Sequence, residues 1–159
     1  MIGSGRLRVA CVGAGYFSRF QYESWARSDR VTLVASCNRT QAKAEATGLP
    51  AYDDLPGMLE QVKPDLLDVI LPPEAQASAV RAAIAARVET VICQKPFCRD
   101  LTEARAISRQ ASEAGTRIVI HENFRFQPWY RAIKQALDSG AVGTLQQVTF
   151  RFRPGDGQG

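Results

Sequence analysis

Apolar and polar positions along this chain fall into short blocks whose period switches between two and about 3.6 residues. Residues 7–12 form an apolar run with β-branched side chains, which predicts a buried strand. Residues 16–28 read as a helix and 31–37 as a second strand. Thr40 stands where it can cap a helix over 41–47, which stops at Gly48. Ala51 and Tyr52 form a short strand remnant. Asp53 or Asp54 can cap a helix over 55–62, closed by Pro64. Residues 66–71 are again a buried strand. After Pro72 and Pro73, residues 74–86 are Ala-rich and helical. Residues 90–93 return to strand. Asp100 and Glu103 have capping-box spacing and open a helix to Ala114, ended by Gly115. Residues 117–120 make a sixth strand, and Pro128 opens a helix that reaches Leu137 and ends near Gly140.

Six strands alternating with helices predict an α/β fold, a Rossmann-type doubly wound parallel sheet with right-handed connections. The pattern then changes. In residues 145–153, Val148, Phe150 and Phe152 alternate with Gln147, Thr149, Arg151 and Arg153. Such alternation predicts a strand buried on one face, as in an antiparallel sheet. One such strand does not stand alone in water. The expectation is therefore a chain that is part of a longer protein, with pairing to a second copy as the alternative.

Composition narrows the classes. Hydrophobic residues make up 45% and charged residues 23% of the 159 positions, which excludes a disordered or fibrous chain. The net charge of +4 suits an anionic ligand, but the cations are scattered, so no nucleic-acid partner is expected. No apolar run reaches bilayer-spanning length, so no membrane partner is expected. The first residues run straight into a strand without the apolar region of a signal peptide, so the expected compartment is the cytoplasm. Cys11, Cys37 and Cys93 sit in apolar strand-like runs, and Cys93 and Cys98 lack zinc-type spacing with a second pair. All four are expected to be reduced, with no metal site.

The segment Gly13-Ala14-Gly15-Tyr16-Phe17-Ser18 follows a buried strand and opens a helix. This is the setting in which a glycine turn binds a dinucleotide. Gly13 permits the tight turn, Gly15 lets the backbone approach a pyrophosphate, and Ser18 is small enough to pack helix on strand. The amides about Tyr16 and Phe17 then face the phosphates at a helix N-terminus. About twenty residues on, Asn38 stands where NAD sites carry an acid for the ribose diol. Asn38 brings no negative charge, Arg39 can pair with a 2′-phosphate, and Thr40 and Ser36 add hydroxyls. The site is expected to take NADP or NAD, with NADP slightly favoured.

Ligands of open parallel sheets sit at the carboxyl ends of the strands. Three further segments arrive there: Leu71-Pro72-Pro73-Glu74, Cys93-Gln94-Lys95-Pro96 and His121-Glu122-Asn123. Lys95 ends an apolar strand before a proline that holds it extended. It is expected either to face the cleft, partly desolvated, and relay a hydroxyl proton beside a nicotinamide, or to be a surface lysine at a loop start. His121, the only histidine, can bind substrate or the nicotinamide amide, or can be structural. Glu122 can bind a polyol or pair with Arg125. Trp129, Tyr130, Trp25 and Phe20 read as packing residues.

The glycine turn, the 65–70 strand with its Pro-Pro-Glu, the Gln94-Lys95-Pro96 turn and the stretch Asn123-Phe124-Arg125-Phe126-Gln127-Pro128 resemble the Gfo/Idh/MocA family of oxidoreductases. The similarity runs from about Leu7 to Phe152. The resemblance implies an NAD(P)-dependent oxidoreductase that moves hydride between nicotinamide and a hydroxyl or carbonyl carbon of a sugar, cyclitol or related polyol. It implies a Rossmann domain over 1–122. Residues 123–159 then supply the crossover helix and first strand of an incomplete α+β domain for substrate binding and homo-oligomerisation. By residue, Lys95 matches the family's Glu-Lys-Pro lysine, which contacts the reacting hydroxyl, and Pro96 matches its proline. Asn123 and Arg125 match the stretch where the chain passes between domains. Leu71, Pro72, Gln94, Lys95, Pro96 and Asn123 thereby join the turn and Asn38-Arg39-Thr40 as cofactor contacts, and Lys95, His121 and Glu122 become candidate substrate contacts.

The departures are specific. Gln94 replaces the usual Glu, Gln76 stands where many members have His, and Asn38 replaces the diol-binding acid. The family's Asp-x-x-x-His arrangement falls past Gly159. The combination of Asn38-Arg39-Thr40, Gln94-Lys95-Pro96 and His121-Glu122-Asn123 is similar to an aldose dehydrogenase branch. Two rival readings stay open: a dinucleotide-sensing module without chemistry, and a nucleotide-dependent transferase, against which Asn38 counts.

Overall fold

The computed structural model describes residues 5–151. Six strands alternate with helices in one parallel sheet: β1 (Leu7–Val12), β2 (Val31–Cys37), β3 (Ala51–Tyr52), β4 (Leu66–Val69), β5 (Thr90–Gln94) and β6 (Arg117–His121). The helices are α1 (Ser18–Ala26), α2 (Gln41–Glu45), α3 (Leu55–Val62), α4 (Pro73–Ala85), α5 (Leu101–Ala114) and α6 (Pro128–Asp138). The strand order is β3-β2-β1-β4-β5-β6, every pairing parallel. The order reverses between β1 and β4, the topological switch point where such sheets open a crevice.

The two sheet faces are packed differently. Ala10, Val12, Leu67, Val69, Val91 and Cys93 point to one side, where Met58 and Leu59 of α3, Val80 of α4 and Ile107 of α5 bury against them. Val9, Cys11, Val31 and Leu66 point to the other, covered by Tyr22 and Trp25 of α1. Strand alternation places Asp68, the one buried charged residue among the described residues, on the α1 side.

The helix ends follow local chemistry, with two departures. Asp54 caps α3 by accepting from the Gly57 N–H at 2.8 Å, and Asp100 caps α5 by accepting from the Glu103 N–H at 2.8 Å. The reciprocal leg of the expected capping box is shifted by one residue. The Glu103 carboxylate accepts from the Arg99 N–H at 3.0 Å and pairs with the Arg99 guanidinium at 2.7 Å, which draws it past Asp100. Thr40 occupies the cap position of α2, but its hydroxyl makes no cap bond. Helix α1 starts at Ser18 rather than Tyr16, because residues 13–17 are taken up by the turn after β1.

The chain divides into two compact units, Met1–His121 and Glu122–Gly159. In the second, a 3₁₀ turn over Asn123–Phe126 precedes α6. Trp129, expected to pack, is 57% exposed, while Tyr130 lies tilted against both Phe124 and Trp129. The expected strand over 145–153 does not form through Arg151, and Phe152 and Arg153 lie outside the described residues. Val148 is 72% and Phe150 67% exposed. The physical reason is the one that makes a single strand unstable: no ladder partner faces it among the described residues.

Candidate functional site

Because every strand is parallel, the carboxyl ends of β1, β2, β4, β5 and β6 share one edge. The turn after β1 lies there, and its shape is set by contact. Gly13 has φ 107°, and an added Cβ would sit 2.2 Å from the Ile70 carbonyl oxygen. Only glycine fits. The Gly13 N–H donates to the Cys37 carbonyl at 2.8 Å, and the Ala14 N–H donates to Asn38 Oδ1 at 3.1 Å. The Ile70 N–H donates to the Val12 carbonyl at 2.8 Å. Three strand ends are thus tied to one turn.

Past this anchor the turn is open. At Gly15 an added Cβ meets nothing within 4 Å, so no protein atom demands glycine there. The N–H groups of Gly15, Tyr16 and Phe17 have no acceptor among the described residues. The first turn of α1 carries no acidic residue and no side-chain cap, so its partial positive charge is unanswered by the protein. Ser18, 4% exposed, packs as the small residue the turn needs, and its hydroxyl donates to the Gly15 carbonyl at 2.6 Å. Tyr16 and Phe17 are exposed, and the Arg19 guanidinium stacks 4.4 Å from the Tyr16 ring centre. Phe20, expected to be a packing residue, is 47% exposed and lies beside Phe17.

At the end of β2, Asn38 spends its carbonyl oxygen on Ala14 and one amide hydrogen on the Thr40 carbonyl at 3.2 Å, leaving one donor hydrogen free. Arg39 is exposed and has no partner among the described residues. Ser36 does not offer a hydroxyl to this edge. It is fully buried and bonded to the Tyr22 hydroxyl at 2.8 Å, because the register shift between Leu33 and Ala35 turns it to the Cys11 side of the sheet, under α1. Tyr22 also donates weakly to the Gly13 carbonyl at 3.4 Å, so α1, β2 and the turn are pinned together.

At β4 and β5, Leu71 is half-buried and Pro72 exposed, the latter leading into α4. Lys95 is joined to Pro96 by a cis peptide bond. It is exposed rather than partly desolvated as expected, since no neighbouring side chain covers it. Gln76, buried in α4, donates from its amide to the Pro96 carbonyl at 3.1 Å and so holds the loop that carries Lys95. Gln94 and His121 face each other across β5 and β6, with the Gln94 amide nitrogen 3.1 Å from His121 Nδ1. In the second unit Glu122 accepts from the Phe124 N–H at 3.3 Å, and Arg125 stacks on Phe126 rather than pairing with it. Asn123 is exposed at the start of the 3₁₀ turn. Among the described residues no cluster of three metal-ligating side chains occurs, and no helix is long and apolar enough to cross a membrane.

Sequence reasoning missed the buried polar groups beneath the turn. Asp68, 2% exposed, accepts from Trp25 Nε1–H at 2.8 Å, while its other oxygen has no partner. Burial pushes its carboxyl above the ordinary value of 3.8, opposed by the Trp25 hydrogen bond and by His121. The four cysteines are free and buried. Burial, with Cys98 and Asp68 nearby, raises the Cys93 thiol to about 12. Burial and the carboxylates of Asp54 and Asp53 raise Cys37 to about 11. All are poor nucleophiles in this setting.

Comparison with known proteins follows the same outline. The family model described as an oxidoreductase family with an NAD-binding Rossmann fold matches residues 7–122. A D-apiose dehydrogenase of Paraburkholderia graminis is 37% identical over 153 residues, covering 92% of this chain and 40% of that protein. A D-apiose dehydrogenase of Rhizobium rhizogenes is 30% identical over 154 residues, covering 94% of this chain and 44% of that protein. A crystal structure of an oxidoreductase from Agrobacterium radiobacter, in complex with NAD+, L-tartaric acid and magnesium, superposes with TM-score 0.82 at 30% identity. It covers 87% of this chain and 42% of that one. The chain thus spans less than half the length of these relatives.

Asp68 gives a test of the geometry under the turn. Its raised value means the folded state keeps the proton to higher pH than the unfolded chain does. The linked stability is complete below 3.8 and is lost as pH rises through the raised value. Asp68→Asn keeps an acceptor for Trp25 and never ionises. Its urea midpoint should exceed that of the unaltered chain at neutral pH, and the gap should close as pH falls towards 3.8. A gap that is constant across this range contradicts the burial of an ionisable carboxyl there.

Proposed function

This chain belongs to the Gfo/Idh/MocA family of oxidoreductases, with an NAD-binding Rossmann fold, and we propose that it is the dinucleotide-binding part of an enzyme that oxidises or reduces a CH–OH carbon on a sugar or related polyol. The observation that carries this reading is the row of unanswered N–H groups at Gly15, Tyr16 and Phe17, placed after a Gly13 that no other residue can replace. A pyrophosphate lying on that row accounts for a glycine at position 15, where the protein itself supplies no reason for one. The reading is also supported by the D-apiose dehydrogenases, whose names give a sugar as their substrate.

At the end of β2 the chain favours NADP. Asn38 presents a neutral amide where a carboxylate would repel a 2′-phosphate, and the free Arg39 guanidinium matches that phosphate in a two-pronged geometry. NAD is the alternative cofactor. When bound, the nicotinamide supplies the hydride acceptor or donor. Lys95 handles the proton. In oxidation its uncharged amine takes the hydroxyl proton at Nζ while the C–H hydrogen leaves with its electron pair. In reduction its ammonium returns the proton to the oxygen. Gln76 acts through Lys95's loop by holding the Pro96 carbonyl. The homo-oligomer implied by the family resemblance belongs to the same proposal for the whole protein.

Two variants separate the roles. Arg39→Ala should weaken NADPH binding to this chain by about 10- to 100-fold, the value of one or two charge-assisted hydrogen bonds, while NADH binding changes by less than about twofold. Fluorescence titration with each cofactor measures both, and an unaltered ratio sinks the NADP assignment. For the whole protein, Lys95→Ala should lower kcat by about 10²- to 10⁴-fold while cofactor affinity holds, assayed on a panel of aldoses and polyols. Full turnover by that variant, or loss of cofactor binding alone, contradicts its role. Absence of turnover by the unaltered whole protein on every substrate in the panel favours a dinucleotide sensor.

A further inference from the structure

Gln94 and His121 are register partners on adjacent parallel strands, so their side chains leave the same face at the carboxyl edge. The Gln94 amide nitrogen lies 3.1 Å from His121 Nδ1. An amide nitrogen is a donor only, so the ring nitrogen it meets must present a lone pair. A neutral imidazole with a lone pair at Nδ1 carries its hydrogen at Nε2. Gln94 is half-buried and His121 exposed, and the amide meets the ring through its nitrogen, the donating end. We propose that Gln94 sets the tautomer of His121, so that the imidazole offers an Nε2–H to the oxygen of the reacting carbon and leaves the substrate proton to Lys95.

This rests on the dehydrogenase reading above and assigns a division of labour within it. A carboxylate at position 94 would accept from the ring instead, moving the hydrogen to Nδ1 and leaving Nε2 as a lone pair able to take a proton. The choice of Gln over Glu therefore decides whether the imidazole is a donor or a base. A donor suits both ends of the reaction, because a hydroxyl oxygen and a carbonyl oxygen each accept a hydrogen bond. Gln94 is a positioning residue in this account, since it acts only through His121. The buried Asp68 carboxyl lies on the same sheet face as Gln94, beneath this edge.

The sequence contains a single histidine, so its two side-chain nitrogens can be observed without assignment by mutation. Long-range ¹H–¹⁵N correlation spectra of the chain, at a pH alkaline enough to keep the ring neutral, should show Nε2 protonated and Nδ1 bare. In Gln94→Glu the two ¹⁵N resonances should exchange positions. Protonation of Nδ1 in the unaltered chain, or an unchanged pattern in Gln94→Glu, overturns the proposal. If Gln94→Glu does not give a folded amide spectrum, Gln94→Ala replaces it. That variant should move both nitrogens toward the mixed positions of a free imidazole, and a pattern identical to the unaltered chain again overturns it. No cofactor or substrate enters the measurement. A failed tautomer assignment therefore leaves the dehydrogenase reading standing, and failure to bind NADPH leaves the tautomer result standing.

Discussion

The site depends on a close approach of backbone to backbone. The carbonyl oxygen of Ile70 stands 2.2 Å from where a Cβ on Gly13 would be. No side chain can occupy that space, so the chain leaving β1 passes hard against the end of β4. From this contact the rest follows. The Gly13 and Ala14 amides are turned toward β2, where Cys37 and Asn38 accept them. The next three amides are left without an acceptor among the described residues, at the positive end of α1. Tyr22 and Trp25 then fasten α1 from below, through Ser36 and Asp68. Burial in the apolar layer beneath the turn disfavours the charged form of Asp68, and the Trp25 hydrogen bond offsets part of that cost.

Much of this fold was legible in the sequence because it is local. The runs Leu7–Val12, Val31–Cys37 and Leu55–Val62 form where the apolar pattern places them, and Asp54 and Asp100 cap as their spacing requires. The glycine turn was legible for the same reason: Gly13 sits between a strand pattern and a helix pattern. What sequence could not show is which side chains meet across the sheet. Ser36 read as a free hydroxyl because its partner, Tyr22, is on another element. The Gln94–His121 and Gln76–Pro96 contacts join residues 27 and 20 positions apart, and no periodicity signals them. The segment 145–151 failed in the opposite sense. Its alternation fits a strand, but alternation specifies a face and supplies no ladder partner.

The chemistry divides along the carboxyl edge in the same way. The β1–β2 side is built of backbone amides and a guanidinium, all donors, and suits phosphate oxygens. The β5–β6 side carries Lys95, Gln94 and His121, an amine, an amide and an imidazole. The family places a nicotinamide dinucleotide on this fold, and a hydride-transfer site needs both kinds of group along one crevice. Lys95 is exposed, so the sheet edge by itself does not desolvate its amine.

We propose that the open amides after Gly13 hold the pyrophosphate of a nicotinamide dinucleotide. Backbone ¹H–¹⁵N spectra of the ¹⁵N-labelled chain, recorded while NADP+ is added, test it directly. The largest shifts should fall on the amides of Gly15, Tyr16 and Phe17, with a second group at Asn38, Arg39 and Thr40. Saturable binding that leaves those six amides unmoved would contradict it.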